Sequence, residues 1–273
     1  MGKKRIFIIL ILGYLTFFPD LLNCQVKNAF GDEVELFDST IDTARIKQFV
    51  IKSSERLKFD PNNLHYLELR ATSNYIIGNY SNAIKDLKKS ISIDSSDWRI
   101  YELYGRICYD IKKYFEAINQ YSKGLNINSN SGTLYHSRAM SYYEIGEFDN
   151  AISDYTNALS NNKSPMSLNN RGLSYLAVKK YDKAIVDFKE AIILNPSEDL
   201  YYANLGYAYH LSNDNELAEE FLNKSIEINP QNGFANYFLA LHFKKKGDDL
   251  KFRHYLQEAK KYGITNDIIK NFK

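Results

Sequence analysis

The sequence is poor in the residues that build covalent or catalytic frameworks. It has two cysteines, one tryptophan and five prolines among 273 residues, and no large excess of either charge, with 35 basic and 33 acidic side chains. Two cysteines, Cys24 and Cys108, cannot make a disulfide scaffold, so packing alone must hold the fold. No apolar run reaches the roughly 20 residues a membrane-spanning helix needs. The longest, Ile6 to Phe18, has 13. There is no G-x-S-x-G elbow, no phosphate-cradling glycine loop and no H-E-x-x-H helix, hence no motif for acyl transfer, nucleotide chemistry or zinc hydrolysis. No two of the histidines (His65, His136, His210, His242, His254) stand at i, i+3 or i+4, so no zinc-like set forms along a helix. The sequence therefore predicts no catalytic residue, no metal and no cofactor.

What is present belongs to a folded protein: 44% hydrophobic and 25% charged residues, with 22 tyrosines whose amphipathic rings suit half-covered surfaces. The N-terminus reads as a targeting segment. The basic stretch GKKR precedes the apolar run Ile6–Phe18, which Pro19 and Asp20 break, the pattern of an export signal. Residues 1–24 are expected to be that signal, with cleavage after Cys24 leaving Gln25 first. An uncleaved signal anchor is the alternative for the apolar run. The stretch LLNC also resembles a bacterial lipoprotein signal, which implies cleavage before Cys24 and lipidation of that cysteine. The expected location is therefore periplasmic, cell-envelope or secreted, or else membrane-anchored through lipid. Loss of Lys3, Lys4 and Arg5 from the 35 basic residues, and of Asp20 from the 33 acidic ones, leaves 32 of each. A neutral mature chain gives no case for nucleic acid or for an anionic membrane surface.

The dominant feature is a phrase that returns: YSNAIKDL at 80, YFEAINQY at 114, FDNAISDY at 148, YDKAIVDF at 181, then weaker forms at 215 and 249. The spacings are 34, 34, 33, 34 and 34, a period that marks an array of helical units. Each period holds two amphipathic patterns. In the fourth, Ser164 is a predicted N-cap with Pro165 at the first helical position, opening a helix over 165–180. A second helix is predicted over 181–196, with Tyr181, Ala184, Ile185, Phe188, Ala191 and Ile192 on one face and Asn195-Pro196 as the stop.

These residues resemble the tetratricopeptide repeat. Its pattern has a small residue at the eighth of 34 positions, here Ala71, Gly105, Ala139, Gly172, Gly206 and Ala240, and alanine at the twentieth, here Ala83, Ala117, Ala151, Ala184 and Ala218. The twenty-seventh is Ser90, Gly124, Ala158, Ala191, Ser225 and Ala259, with Pro196 and Pro230 at the thirty-second. The resemblance implies an all-α, right-handed α-solenoid of antiparallel helix pairs. Six repeats are expected at 64–97, 98–131, 132–164, 165–198, 199–232 and 233–266. Residues 25–63 form a lead-in and a capping helix, and 267–273 a C-terminal cap. The small residues let helices approach closely, so a bulky replacement at Ala151 or Ala184 should overpack by roughly 1–3 kcal/mol. Phe252 departs from the pattern, standing where alanine is expected.

Function is read from the family. There, the first helix of each repeat lines a concave groove that holds a partner. Carried onto this sequence, the contact positions include Arg99, Arg106 and His136 in the early repeats. In the late repeats they include Asn169, Asn170, Leu173, Asn204, Tyr207, Tyr237 and Leu241. The chain lacks the Lys and Asn set of the two-carboxylate clamp. The resemblance thus implies a non-enzymatic interaction scaffold for a protein or peptide segment, with apolar anchors from Leu173, Tyr207 and Tyr237 and backbone hydrogen bonds from Asn170 and Asn204. The alternative is that the same rings pack against the adjacent helix or against a second copy of the chain. Membrane contact would come only through the signal or a lipid on Cys24, whose second role is a structural subunit of an envelope assembly. Cys108 is read as a buried small hydrophobe.

Overall fold

The structure, a computed structural model, describes residues 43–265. The signal, Cys24, most of the lead-in and the C-terminal cap lie outside the described residues. Thirteen α-helices fill the described chain: α1 (Thr43–Phe59), α2 (Leu64–Ile76), α3 (Tyr80–Ile93), α4 (Trp98–Asp110), α5 (Tyr114–Ile127), α6 (Gly132–Glu144) and α7 (Phe148–Asn161). They continue with α8 (Pro165–Ala177), α9 (Tyr181–Leu194), α10 (Asp199–Leu211), α11 (Asn215–Ile228), α12 (Gly233–Lys246) and α13 (Asp249–Lys261). The six recurring phrases each open a second helix, at Tyr80, Tyr114, Phe148, Tyr181, Asn215 and Asp249.

Local chemistry sets these boundaries. Ser164 accepts a hydrogen bond from the Ser167 N–H with Pro165 at the first helical position, as the sequence predicts. Asn63, Asp97, Asp214, Asn232 and Asp248 cap their own helices in the same way. The first helix of each pair is shorter than the apolar pattern suggests, because every one ends in the same tight turn. A residue in the left-handed region closes it: Gly78, Lys112, Gly146, Lys179, Asn213 and Gly247, each fifteenth in its repeat. The following N–H reaches back five residues, for example Lys180 N to Tyr175 O at 2.8 Å and Lys113 N to Cys108 O at 2.7 Å. This is the Schellman arrangement. Three repeats place glycine at the left-handed position, where no Cβ clashes; Lys112 (φ 60°) and Lys179 (φ 61°) carry the strain. Lys179→Gly should therefore raise stability by about 0.5–1 kcal/mol, the relief of strain exceeding glycine's entropic cost. Equilibrium urea unfolding reads this directly, and a lower midpoint would contradict the strain.

The described residues form two compact units, 43–134 and 135–265, each a stack of helix pairs. Successive helices pack in each, and first helices also touch one another: α2 with α4, α8 with α10, and α10 with α12. That contact gives the first helices a common face. Close approach rests on the small residues. Ala71, Ala83, Ala117, Ala139, Ala151, Ala184 and Ala218 are wholly buried, and Gly105, Gly172 and Gly206 are buried beside them. A Cβ on Gly105 would stand 2.5 Å from the Tyr121 ring, one on Gly172 2.6 Å from Phe188, and one on Gly206 2.6 Å from Leu222. In each case the eighth residue of the repeat faces the twenty-fourth. Phe252 stays half-buried at the edge of the last pair, packed against the cluster of Leu222, Phe238 and Phe243.

A polar staple that the repeat pattern does not announce accompanies this packing. Arg70, Arg138 and Arg171, seventh in their repeats, each grip the aspartate sixteen residues on (Asp86, Asp154, Asp187) through two hydrogen bonds of 2.7–2.9 Å. The carboxylates are almost fully buried and the guanidinium groups about one-fifth exposed. Arg70 also donates to Ser54 Oγ, and Arg171 to Thr156 Oγ1, both at 3.1 Å and both on the preceding helix pair. One side chain thus ties two helices of its own pair and the pair before. Fork geometry suits arginine and not lysine to this task.

Candidate partner-binding face

Within 135–265, the face of the first helices carries two adjoining features. The first is a ladder of amides. Asn204 donates through Nδ2 to Asn169 Oδ1 at 2.7 Å, and Asn169 donates to Asn170 Oδ1 at 3.3 Å. All three are buried, and the ladder joins α8 to α10. The Asn170 amide nitrogen and Asn204 Oδ1 have no hydrogen-bond partner among the described residues. An unpaired buried amide atom costs about 1–3 kcal/mol, so these ends hold unspent hydrogen-bonding capacity.

The second feature is aromatic. Tyr207 of α10 stacks on Phe238 of α12, with centroids 4.2 Å apart and planes at 9°. Phe234 and Leu241 lie half-buried against the same cluster, so Tyr207, Phe234 and Leu241 form the accessible apolar surface. Tyr207 has its phenol pushed up to about 12, chiefly by burial, and stays neutral at physiological pH. Leu173, at 9% exposure, sits at the boundary of the core. Tyr237 does not reach the surface: at 2% exposure it belongs to the core cluster with Leu222, Leu239 and Phe243. Phe238 is just as buried, at 2%, and belongs to the same cluster, so Tyr207 stacks on the edge of the core. Phe238 was not singled out in the sequence, although it occupies the sixth place in its repeat, where Asn170 and Asn204 stand in theirs.

His136, also on this face, is buried and bonded through Nδ1 to Ser167 Oγ at 2.8 Å. Burial lowers its pKa from 6.5 to about 4, so the folded protein holds it neutral. The folded value lies below the unfolded one, so its contribution is fully present above pH 6.5 and is lost as pH falls towards 4. The expected loss is about 2 kcal/mol between pH 8 and pH 5. His210 is also held down to about 4, by burial first and then by Lys245 and His242, and adds to the same trend. Urea unfolding of the wild type and of His136→Asn across pH 5–8 measures the His136 share. An unchanged slope in the variant would exclude it.

The early-repeat candidates lie in the unit 43–134 and differ in kind. Arg99 is more than half exposed and bonded to Asp97 at 2.7 Å, beside its own helix cap. Arg106 is buried and paired with Glu102 at 3.1 Å. Burial pushes the Glu102 carboxyl up, an effect Arg106 opposes. Burial likewise raises Asp110, which accepts a 3.0 Å hydrogen bond from the Tyr75 hydroxyl. Arg106 is thus committed to an internal ion pair, and Arg99 alone of the two is presented to solvent. Cys108 is wholly buried, and its thiol is pushed up to about 12 by burial and then Glu116, leaving no thiolate for redox chemistry. Among the described residues, no three His, Cys, Asp or Glu side chains gather into a group that could hold a metal.

Comparison with known proteins agrees with this architecture. One tetratricopeptide repeat profile matches residues 165–198, and a second matches 132–165 and 200–232. No curated protein sequence matches the chain. Among solved structures, the C-terminal part of a TPR repeat-containing protein from Cytophaga hutchinsonii is 20% identical, with a TM-score of 0.63 over 85% of this chain and all of that one. A tetratricopeptide repeat protein from Parabacteroides merdae is 15% identical, with a TM-score of 0.66 over 91% of this chain and 96% of its own. YrrB, described as a TPR protein with an unusual peptide-binding site, is 16% identical, with a TM-score of 0.54 over 68% of this chain and 96% of its own. Likeness at these identities concerns the fold. Helix pairs, small-residue contacts and matched profiles agree that residues 132–232 carry tetratricopeptide repeats within an all-α array of antiparallel helix pairs.

Proposed function

We propose that the protein is a non-enzymatic, exported interaction scaffold that holds a protein or peptide segment along the first-helix face of residues 135–265. The observation that carries this reading is the juxtaposition on that face of an apolar surface and unpaired amide atoms. Tyr207, Phe234 and Leu241 offer anchors for apolar side chains. The Asn169–Asn170–Asn204 ladder ends in a free donor and a free acceptor, suited to a peptide backbone after small side-chain rotations. The name of YrrB supplies a precedent for peptide binding on this fold, at the level of analogy.

A photoreactive amino acid at Tyr207 should cross-link a discrete partner in the native host. The same probe at Ile193, an exposed residue on the second helix α9, should not. Leu241→Asp should abolish the adduct. Equal labelling at both positions would sink the proposal, and an adduct of twice the chain mass would replace it with self-association. Export rests on the basic stretch and apolar run at the N-terminus. Mass spectrometry of the mature protein should find Gln25 first, whereas an acylated Cys24 would make the protein lipid-anchored.

A further inference from the structure

The first-helix face of residues 135–265 does not stop at Tyr207. In the last turn of α10, His210 stacks on the Tyr207 ring, with centroids 6.3 Å apart and planes at 14°. His210 also meets His242 of α12 edge-on, at 6.0 Å. The Nδ1 atoms of both histidines are shut off from water and have no hydrogen-bond partner among the described residues. Beside them stands a cation. Lys245, exposed on the last turn of α12, reaches the turn after α10 and donates to Asn213 Oδ1 at 2.6 Å. That acceptor is a neutral amide. The carboxylate that α11 contributes, Glu219, is held by others: Lys246 donates to it at 2.6 Å, and His242 Nε2 lies 3.3 Å from it. Lys245 therefore faces His210 and His242 with no negative charge set against it, and both Lys245 and His242 act to keep His210 neutral.

Of the side chains a peptide carries, a carboxylate alone brings opposite charge and accepts from an ammonium and an imidazole together. We propose that this end of the face reads a carboxylate: the bound segment carries an aspartate or glutamate beside its apolar anchor, and that acid bridges Lys245 and His210. The inference rests on the partner-face reading and names the chemistry of the partner. Geometry sets the spacing. The Tyr207 and His210 rings stand 6.3 Å apart, and an extended chain advances about 3.3 Å per residue. An acid two residues from the anchor thus falls at the right place, and the period of two puts both side chains on one side. A carboxylate alongside also favours the imidazolium, so binding draws His210 up from its value of about 4 and takes up a proton. The complex holds more protons than the free protein, and affinity rises as pH falls. The other groups facing the site are Tyr207 on α10, Glu219 on α11, and His242, Lys245 and Lys246 on α12. Glu219 is held ionised chiefly by its hydrogen bond from Lys246, and His242 is kept neutral chiefly by burial.

The probe is a library of short random peptides displayed on phage and selected on the protein. Enriched peptides should carry Asp or Glu two residues from an aromatic or aliphatic side chain. A synthetic copy of one should bind Lys245→Glu at least tenfold more weakly than the wild type. Lys244→Glu, whose lysine lies over the Phe252 ring, should change binding less than twofold. The same peptide with its acid replaced by lysine should prefer Lys245→Glu to the wild type, a reversal that a misfolded variant does not produce. The acidic peptide should bind at least twofold more tightly at pH 6 than at pH 8, and His210→Gln should erase that difference. A pH effect that survives His210→Gln would take the histidine out of the site and the bridge with it. Peptides that lose binding to Leu241→Asp yet ignore Lys245→Glu would overturn the carboxylate and leave the partner face standing. No enrichment, or peptides indifferent to Leu241→Asp, would sink the face itself and this inference together.

Discussion

Gly172→Val should lower stability by about 1–3 kcal/mol, with a falling thermal midpoint and no new folded state. The reason is geometric. The first atom added at position 172 would stand 2.6 Å from the Phe188 ring, whose own exposure is zero, so the ring has no free volume to retreat into. Alanine is a gentler test than valine, because its better helix propensity, about 1 kcal/mol over glycine, offsets part of the clash. The repeat before shows what alanine permits: Ala139 and Tyr155 are both buried at the same two register positions. The discriminating experiment is a double replacement. Gly172→Val with Phe188→Ala should cost less than the sum of the two single changes, since the valine enters space the ring has left. Strict additivity in urea unfolding would mean that the two positions do not touch.

Asp187→Ala should cost about 2–4 kcal/mol, which makes the arginine staple the other large term. Removal of one member of a buried ion pair typically costs 3–5 kcal/mol, because the survivor is left charged and desolvated. The Arg171 guanidinium is 18% exposed and keeps its hydrogen bond to Thr156, and both facts reduce the penalty. Arg171→Leu together with Asp187→Leu should recover much of the loss, since a packed apolar pair has no desolvation to repay. Lys224→Ala serves as the contrast: its pair with Glu227 lies in solvent, and no measurable change is expected. If both replacements had the same small effect, the three Arg–Asp pairs would be ornaments of the surface and not ties between helices.

These two results separate what the repeat makes visible from what it hides. The period of 34, the apolar stripes and the caps at Ser164 and Pro165 place the helices from sequence, since each is a local preference read over a few turns. The left-handed turns were only half visible. Glycine marks Gly78, Gly146 and Gly247, whereas Lys112 and Lys179 give no hint of the conformation they are forced into. The staples left a signal in the sequence, an arginine followed sixteen residues later by an aspartate, three times at one register. Sixteen is no multiple of a helical turn, so the pairing has meaning only after two helices fold back on each other.

The candidate face shows the same division more sharply. Tyr207, Asn170 and Asn204 were nameable from their positions on the first helices, and the structure sets them close to a common surface. Tyr237 and Phe238 are neighbours of similar chemistry and both are buried, and no local property says which of the two rings stacks on Tyr207. Likewise Arg99 and Arg106 look alike as charges. Burial beside Glu102 turns the second into an internal ion pair, and a cap aspartate holds the first at the surface.

The sequence by itself determined that the chain is an array of paired helices, because the period and its small residues are local and recur along the chain. Tertiary structure alone decided which side chains are spent on holding that array and which remain to meet a partner. That choice depends on burial against residues tens of positions away, and burial is a property of the packed chain, never of a single helix.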